Sequence, residues 1–149
     1  LEKMDYLFYC DADMRFVAPV GEEILGNLVG TIHPGFYASP RSQFTYETNT
    51  NSTAFVPFHE GTKYFAGGFN GGTATSFLKM AKILSDRISD DYRRGVIAVW
   101  HDESHMNRYF IDNPPDVELS PSYCYPESWN INFEKKLLAL DKNHKEIRS

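Results

Sequence analysis

A short apolar run that ends in two carboxylates sets the strongest constraint on how this chain folds. Tyr6 to Cys10 are five bulky residues, and Asp11 and Asp13 follow directly, separated by one alanine. Such a run, rich in aromatics, predicts a buried β-strand. Because side chains alternate along a strand, the two carboxylates should point the same way. Adjacent carboxylates at the end of a buried strand indicate a cation between them, since unpaired buried charge is costly.

The chemistry of this acidic pair has two readings. Carboxylate oxygens are the hard ligands that a divalent cation prefers, and such a cation can hold a phosphate on its open side. In α/β proteins, ligands also bind at the carboxyl ends of strands. The alternative is a turn with two solvated acids, because a D-x-D pattern alone is short. The choice between a metal site and a solvated turn depends on other parts of the sequence.

Composition bounds the class of protein. Of the 149 residues, 42% are hydrophobic and 15% aromatic, which is enough to bury the core of one domain. The net charge is -5, so we expect no nucleic-acid partner. No apolar run approaches the ~18–20 residues of a membrane span. Because the chain opens with Leu1 and reaches its first strand almost at once, we expect that an upstream part of the protein is missing.

Hydrophobic periodicity predicts three further elements. Val20 to Val29 has the apolar spacing of a helix. Thr73 to Ser89 carries the clearest helical stripe, beginning at a capping threonine, and we expect the stripe to be core packing. Val96 to Trp100 predicts a second buried strand, which delivers the polar segment His101 to His105 at its carboxyl end. Two strands that both end in acids indicate a site where the strand ends meet.

Three stretches carry signals with more than one reading. The two glycine pairs between Gly67 and Gly72 indicate a sharp turn or a close approach, and so either a pocket wall or a flexible loop. Leu119 to Trp129 offers aromatic residues that either stack on sugars or cover the core. The basic tail within Phe133 to Ser149 either folds over an anion such as a diphosphate or is solvated.

Three functions are weighed from these features. A zinc peptidase is suggested by His101 and His105, but the glutamate of that motif should follow the first histidine directly. A non-catalytic carbohydrate-binding module would use the aromatics and leave Glu103 and the basic tail unexplained. A metal-dependent transferase with a nucleotide-linked donor accounts for the D-x-D strand, the second acid cluster, the glycines and the tail. We favour the transferase.

The motifs resemble glycosyltransferase family 6 in their order and spacing, over nearly the whole chain. This family includes the histo-blood-group A and B transferases, the α-1,3-galactosyltransferase and Forssman synthase. The segments that carry the resemblance are Phe8–Asp13, His33–Tyr37, Phe44–Glu47, Gly67–Gly72, Trp100–Tyr109, Leu119–Tyr123 and Lys142–Lys145. The resemblance implies a GT-A type α/β fold, a mixed sheet flanked by helices. Residues 1–149 would then be a partial catalytic domain with the D-x-D strand, the acceptor-binding half and the basic tail.

The resemblance also implies an activity. It is that of a retaining glycosyltransferase, which moves GalNAc or Gal from a UDP-sugar in α-1,3 linkage to a glycan acceptor, a fucosylated galactoside. Asp11 and Asp13 would hold Mn²⁺ (or Mg²⁺) against the donor diphosphate. Glu103 would be the catalytic residue, as a nucleophile or as an electrostatic stabiliser of the transition state.

Binding residues follow from the same resemblance. The donor-binding residues would be His101, Asp102, Ala66, Gly67, Gly68, Lys142 and Arg148. The acceptor-binding residues would be His33, Gly35, Phe36, Trp100, Tyr125 and Glu127, the last replacing an acid of the A and B enzymes one position along. Small residues at 35, 66 and 68 leave room for an acetamido group, which favours UDP-GalNAc, although one methyl discriminates by only about 1–3 kcal/mol. The compartment stays open: cytoplasmic for a bacterial or phage protein, the Golgi lumen for an animal one.

Overall fold

The computed structural model describes residues 5–141. Seven strands and two α-helices form within these residues, joined by loops and short 3₁₀ turns. In chain order they are β1 (Tyr6–Cys10), β2 (Met14–Phe16), β3 (Leu28–Ile32), β4 (Phe65–Thr73), α1 (Ala74–Arg93), α2 (Asp102–Asp112), β5 (Val117–Leu119), β6 (Tyr125–Pro126) and β7 (Leu137–Ala139). The predicted α/β class, with mixed sheets flanked by helices, is confirmed.

Two mixed sheets organise the described residues. The larger sheet has the order β1-β4-β3-β5, in which only β3 and β5 run parallel. The smaller sheet has the order β2-β7-β6, in which β6 and β7 run parallel. Because β1 belongs to one sheet and β2 to the other, the acidic turn between them joins the two sheets.

The glycine run is the central strand of the larger sheet. β4 lies between β1 and β3, and Gly71 pairs with Phe8. A Cβ atom on Gly71 would lie 2.4 Å from the Phe8 ring and 2.5 Å from the carbonyl oxygen of Leu7, closer than such atoms can approach. The close-approach reading of these glycines is therefore correct, and the flexible-loop reading is wrong.

β1 has the predicted bounds, but it is not buried. It lies at the edge of the larger sheet, and Leu7 and Tyr9 are 39% and 48% exposed. Asp11 to Asp13 do not continue the strand, because the chain turns there and the Met14 amide donates to the carbonyl oxygen of Asp11 at 3.1 Å. Strand alternation therefore does not apply to the two carboxylates, and their placement depends on the turn.

The predicted helix over Val20 to Val29 is wrong. The chain forms a single 3₁₀ turn at Glu22–Ile24 and then enters β3. Leu28 and Val29 are apolar because they are buried in a strand with neighbours on both sides, and this spacing also fits a helix. A Cβ atom on Gly26 would lie 2.5 Å from Val117, so the chain passes β5 too closely for a helix there.

α1 confirms the predicted helix. It runs from Ala74 to Arg93, and the Thr73 hydroxyl accepts a hydrogen bond from the Ser76 amide at 3.3 Å. Met80 is buried and packs with Phe65 and residues of α2 in one core cluster, as expected for the apolar stripe. Neither α1 nor α2 has the length and hydropathy needed to cross a bilayer, a result that covers the described residues.

The predicted strand over Val96 to Trp100 is wrong. The segment is a loop that follows α1, begins with Gly95 at φ +73°, and leaves Ile97 and Val99 largely exposed. It has no partner strand in the described part of the chain, so its β-branched residues cannot form a ladder. α2 begins directly after the loop, at Asp102.

Candidate functional site

Three segments meet around one cavity of about 730 Å³. They are the turn after β1, the glycines of β4, and the 96–101 loop with the first turn of α2. The polar residues that line the cavity are Tyr9, Asp11, Asn70, Ser85, Ser89, His101, Asp102 and Glu103, and Gly67, Gly68 and Trp100 also contribute. The apolar face of α1 forms the remaining wall, so its stripe lines a cavity as well as packing in the core. We call this space the central cavity.

The Asp11 carboxylate is fixed at the edge of the central cavity. Its amide donates to the carbonyl oxygen of Gly68 at 2.9 Å, which attaches the turn to β4. The Tyr9 hydroxyl donates to Oδ1 of Asp11 at 2.6 Å. This hydrogen bond is the main reason why the pKa of Tyr9 is raised to about 12, with burial and the charges of Asp11, Asp102 and Asp13 adding to it.

The acids around the turn suit a cation that takes further ligands from a substrate. Asp11, Asp13 and Asp102 form no ion pair with lysine or arginine inside residues 5–141. In the same residues, no group of three or more His, Cys, Asp or Glu side chains is arranged to hold a metal by itself. Mg²⁺ and similar cations are often bound by one or two carboxylates plus phosphate oxygens and water. The donor chemistry of Asp11 and Asp13 fits such an ion.

Glycines in β4 allow both acidic segments to approach the strand. A Cβ atom on Gly67 would lie 3.3 Å from Cβ of Glu103, and one on Gly68 would lie 3.2 Å from Oδ2 of Asp11. Both distances are tighter than ordinary van der Waals contact. The two glycines therefore bring Asp11 and Glu103 to the same stretch of β4, which the sequence predicted only as a pocket wall.

Glu103 is a carboxylate with a perturbed pKa. Burial raises its pKa from 4.5 to about 7, the Asp11 charge adds to this, and Tyr64 and the Gly67 backbone lower it. The Tyr64 hydroxyl is buried and approaches Glu103 without meeting the geometry of a full hydrogen bond to any described residue. A pKa near neutrality lets Glu103 exist in both charge states under working conditions, a property typical of catalytic carboxylates.

His33 faces Glu103 in a defined tautomer. Its Nδ1 accepts a hydrogen bond from the Gly35 amide at 2.9 Å, so the proton of the neutral ring is on Nε2. Nε2 lies 3.6 Å from Oε1 of Glu103. Burial lowers the pKa of His33 to about 4, so the imidazole is neutral at pH 7 and the contact is no salt bridge.

Asn107 fixes Glu103 relative to β4. Its side-chain amide accepts from the Phe65 amide at 2.8 Å and donates to the Phe65 carbonyl at 2.9 Å. The same Nδ2 donates to the carbonyl oxygen of Glu103 at 2.9 Å. Asn107 is buried, and these bonds join the first turn of α2 to the start of the glycine strand.

His101 stands in an unusual backbone conformation. It caps α2 with φ +52° and ψ -122°, a region that costs about 1–3 kcal/mol for a residue with a side chain. The loop around it is held by hydrogen bonds from the Val99 amide to Glu47 Oε2 at 2.6 Å and from the Trp100 amide to Ser104 Oγ at 3.0 Å. Strain held in this way is common at functional sites.

The residues expected to bind the acceptor lie beside His33 or line the central cavity, with two exceptions. Phe36 packs against the His33 ring at 4.8 Å between centroids, and Trp129 would lie 3.8 Å from a Cβ atom on Gly35. Trp100 is 52% exposed and lines the central cavity. Phe36 thus adjoins the histidine that contacts Glu103, and Trp100 lines the same cavity as Glu103.

Tyr125 is the first exception. It is buried, and its hydroxyl accepts from the Ile131 amide at 2.7 Å and donates to the Ile131 carbonyl at 3.1 Å. A stacking role for its ring is therefore wrong, and the core-covering reading of this segment is correct for Tyr123 and Tyr125. The aromatic that this segment exposes is Trp129.

Glu127 is exposed, and its amide donates to Ala139 in β7 at 2.9 Å. No contact joins its carboxylate to the residues around His33 in the described part of the chain. Ala66 is buried in β4 beside the two cavity-lining glycines. Lys142 and Arg148, expected to bind the donor, lie outside the described residues.

The two histidines of the peptidase hypothesis are adjacent along α2 but differ in burial and in partners. His101 is exposed, whereas His105 is buried with Nε2 3.5 Å from Oδ2 of Asp91. Asp91 also accepts from the Ser52 hydroxyl at 2.6 Å and from the Thr53 amide at 2.9 Å. His105 thus belongs to a buried polar cluster beneath the 96–101 loop. Within residues 5–141, no group of three or more His, Cys, Asp or Glu side chains is arranged to hold a zinc ion, so the structure does not support the zinc peptidase hypothesis.

Sequence reasoning missed three residues of the site. Tyr9 was placed in a buried strand, although its position two residues before Asp11 would put both on one side of a strand. Asn107 lies four residues after Glu103 and so on the same face of α2, a signal that could have been used. No sequence motif marks Tyr64, which is the residue directly before β4.

Sequence comparison relates this chain to known glycosyltransferases. The sequence model of glycosyltransferase family 6 matches residues 1–149. The histo-blood group ABO system transferase 1 of Rattus norvegicus is 42% identical over 151 residues, which cover 99% of this chain and 43% of the rat protein. The globoside α-1,3-N-acetylgalactosaminyltransferase 1 of Homo sapiens is 44% identical, with coverage of 99% and 43%.

A bacterial relative is also similar. The O-antigen biosynthesis glycosyltransferase WbnI of Escherichia coli is 31% identical over 144 residues, which cover 95% of this chain and 61% of the bacterial protein. The chain therefore spans less than half the length of the two mammalian relatives and about three-fifths of the bacterial one.

Proposed function

The chain belongs to glycosyltransferase family 6, and we propose that it carries the catalytic carboxylate, the metal-binding acids and the acceptor side of a retaining hexosyltransferase. The reaction moves GalNAc or Gal from a UDP-sugar in α-1,3 linkage to a galactoside acceptor. The observation that carries this proposal is the convergence of Asp11, Gly67, Gly68 and Glu103 on one cavity. Family membership supplies the reaction class, and the cavity supplies the site for it.

Asp11 and Asp13 would hold the divalent cation, Mn²⁺ or Mg²⁺. When bound, the cation neutralises charge on the donor diphosphate and on the leaving UDP. The Asp11 carboxylate is already oriented by Tyr9 and by the attachment of its backbone to Gly68. Lys142 and Arg148 are the basic residues proposed to close over the same diphosphate. His101 and Asp102, which line the cavity, are proposed to contact the donor sugar.

Glu103 would act on the anomeric carbon from the face opposite the diphosphate. In its ionised form it either attacks that carbon or stabilises the positive charge that develops there, and both routes retain configuration. Its partial burial removes water that would otherwise compete for the carboxylate. The neutral His33, with its proton on Nε2, can donate a hydrogen bond toward Glu103 or toward an acceptor hydroxyl between them.

The acceptor would bind on the aromatic surface next to His33. Trp100 and Trp129 offer faces for the apolar side of a sugar ring, and Gly35 leaves space beside Trp129. A 2-fucosylated galactoside is the proposed acceptor, as implied by the resemblance to the A and B enzymes. Glu127 is the exposed acid proposed to reach its hydroxyl groups.

The donor preference would be UDP-GalNAc over UDP-Gal. Gly67 and Gly68 add no side-chain volume to the cavity wall, the buried Ala66 beside them is also small, and an acetamido group needs that space. Because one methyl group changes discrimination by about 1–3 kcal/mol, both donors should be measured.

The test is sugar transfer by the protein that contains residues 1–149. We would compare UDP-GalNAc with UDP-Gal, and a 2-fucosylated galactoside with the unfucosylated sugar, with Mn²⁺ or with EDTA. Glu103→Gln should abolish turnover, whereas the exposed Glu22→Gln should not change it. Full turnover by Glu103→Gln would overturn the catalytic assignment, and full turnover in EDTA would overturn the metal assignment.

A further inference from the structure

Tyr9 holds Asp11 in a way that the family motif does not explain. Its ring is about half exposed, yet its hydroxyl makes a 2.6 Å hydrogen bond to Oδ1 of Asp11. Tyr9 lies in β1 and Asp11 in the turn that follows it, so this hydrogen bond links the end of the strand to the acidic turn. An exposed tyrosine with a fixed hydroxyl indicates a role for the hydroxyl.

The second oxygen of Asp11 is positioned by a different group. Oδ2 lies 3.2 Å from the place of a Cβ atom on Gly68, so it points along the wall formed by β4. The Asp11 amide is bonded to the same glycine at 2.9 Å. The carboxylate is therefore restrained at its backbone and at Oδ1, and Oδ2 makes no hydrogen bond to any described residue.

We propose that Tyr9 is a positioning residue for the divalent cation, because it orients the Asp11 carboxylate so that Oδ2 is presented to the ion. This inference rests on the proposed metal site at Asp11 and Asp13. Hydrogen bonds to metal-ligating carboxylates fix their orientation, and their removal typically costs 10–100-fold in metal affinity. Without the hydroxyl, Asp11 gains rotamer freedom that has to be lost again when the ion binds.

Tyr9 also lines the central cavity, so its ring could act instead by stacking on a bound ligand. The two roles separate by substitution. Tyr9→Phe removes the hydroxyl and keeps the ring, whereas Tyr9→Leu removes both. If the hydroxyl is what matters, the two variants bind the cation equally weakly.

The test is a titration of the protein with Mn²⁺ alone, followed by electron paramagnetic resonance of the free ion. We expect Tyr9→Phe and Tyr9→Leu to weaken Mn²⁺ binding about tenfold or more. Tyr92→Phe, which removes a hydroxyl from a largely exposed tyrosine of α1, should bind like the unsubstituted protein. Because Tyr9 is at the surface, circular dichroism should show the same fold for all variants.

The outcomes distinguish the two proposals. Equal Mn²⁺ affinity of Tyr9→Phe and the unsubstituted protein would overturn the role of Tyr9 and leave the metal site standing. If Tyr9→Leu bound Mn²⁺ much more weakly and Tyr9→Phe bound it normally, the effect would belong to the ring. That result would also overturn the proposed role of the hydroxyl. Absence of Mn²⁺ binding by the unsubstituted protein both alone and with UDP present, or unchanged binding by Asp11→Asn, would overturn the metal site itself.

Discussion

His33 and Glu103 are held in contact as neutral partners. Nε2 of the histidine lies 3.6 Å from Oε1 of the glutamate. The pKa of His33 falls to about 4 and that of Glu103 rises to about 7, both chiefly because burial disfavours the charged forms. Between these two values neither group carries its charge for most of the time. The ionisation of Glu103 therefore controls the electrostatics of the site near neutral pH.

The first prediction concerns stability. Because the folded protein raises the pKa of Glu103 above its unfolded value of 4.5, the contribution of this group to stability is full below pH 4.5 and is lost as pH rises to about 7. Glu103→Gln removes this loss. The variant should therefore be more stable than the unsubstituted protein at pH 8, by up to about 3 kcal/mol, with the difference vanishing near pH 4.

Urea unfolding across this pH range, in EDTA and without nucleotide, would measure the difference. Glu22→Gln serves as the control, because Glu22 is exposed and should show no such trend. A constant difference between Glu103→Gln and the unsubstituted protein from pH 4 to pH 8 would contradict the prediction.

The second prediction concerns the pH dependence of turnover. If ionised Glu103 is required, kcat/KM should rise with pH through a step near 7, since this ratio reports the free enzyme. Tyr64 lowers the pKa of Glu103, so Tyr64→Phe should move the step to higher pH. The loss of a hydroxyl without a full hydrogen bond should cost little stability. Tyr92→Phe is the control, and a step at lower pH in Tyr64→Phe would argue against the assignment.

The third prediction uses the contact between Gly67 and Glu103. In Gly67→Ala the new methyl would lie 3.3 Å from Cβ of Glu103, so the glutamate has to move by a few tenths of an ångström. Misplacement of a reacting group by about 1 Å can cost 10²-fold in rate, so a loss of roughly tenfold in kcat is expected here. Steady-state kinetics should show this loss with Mn²⁺ half-saturation unchanged. A selective change in the metal dependence would contradict the geometry.

Gly68→Ala should behave differently, and this is the fourth prediction. Its methyl would lie 3.2 Å from Oδ2 of Asp11 and 3.5 Å from Sγ of Cys124, away from Glu103. We expect a weaker response to Mn²⁺ and a shift of preference from UDP-GalNAc toward UDP-Gal by about 1–3 kcal/mol. The ratio of kcat/KM for the two donors measures the shift. An unchanged ratio would show that the side chain at position 68 does not influence the choice of donor.

The fifth prediction separates strain from function at His101. Glycine adopts φ +52° without steric cost, whereas alanine does not. His101→Gly should therefore be about 1 kcal/mol more stable than His101→Ala, while both lose donor affinity to the same extent. At Lys79, an exposed position inside α1, the order should be reversed by about 1 kcal/mol. Urea unfolding of the four variants would measure these differences. If the glycine and alanine variants had the same order of stability at both positions, the assignment of backbone strain to His101 would be wrong.

The sequence correctly predicted the elements in which the local residue pattern matches the packing in the folded protein. α1 has an apolar stripe and a capping threonine, and it formed as expected. The predictions were wrong for Val20 to Val29 and for Val96 to Trp100. Apolar residues alone do not show which part of the chain they pack against. In the first segment the apolar residues enter β3, which has a strand on each side. In the second they are exposed in a loop.

The candidate site was predicted in part for a similar reason. Asp11, the glycines and Glu103 are local motifs, and the structure brings them to one cavity. The partners that restrain them are distant in sequence or lack a motif. Tyr64 precedes Glu103 by 39 positions, and the hydrogen bonds of Asn107 go to Phe65, 42 positions away. Such pairs follow from the topology of β4 and α2, which sequence periodicity alone does not supply.

The bonds that Asn107 makes have a mechanical consequence. They tie the backbone of Phe65, one residue before Ala66, to the carbonyl of Glu103 in a single buried side chain. The stretch of β4 that we propose to select the sugar and the carboxylate that we propose to react with it are therefore linked through one side chain. Under the proposed function, the fit of a sugar would be tested at a spacing from Glu103 that Asn107 restrains.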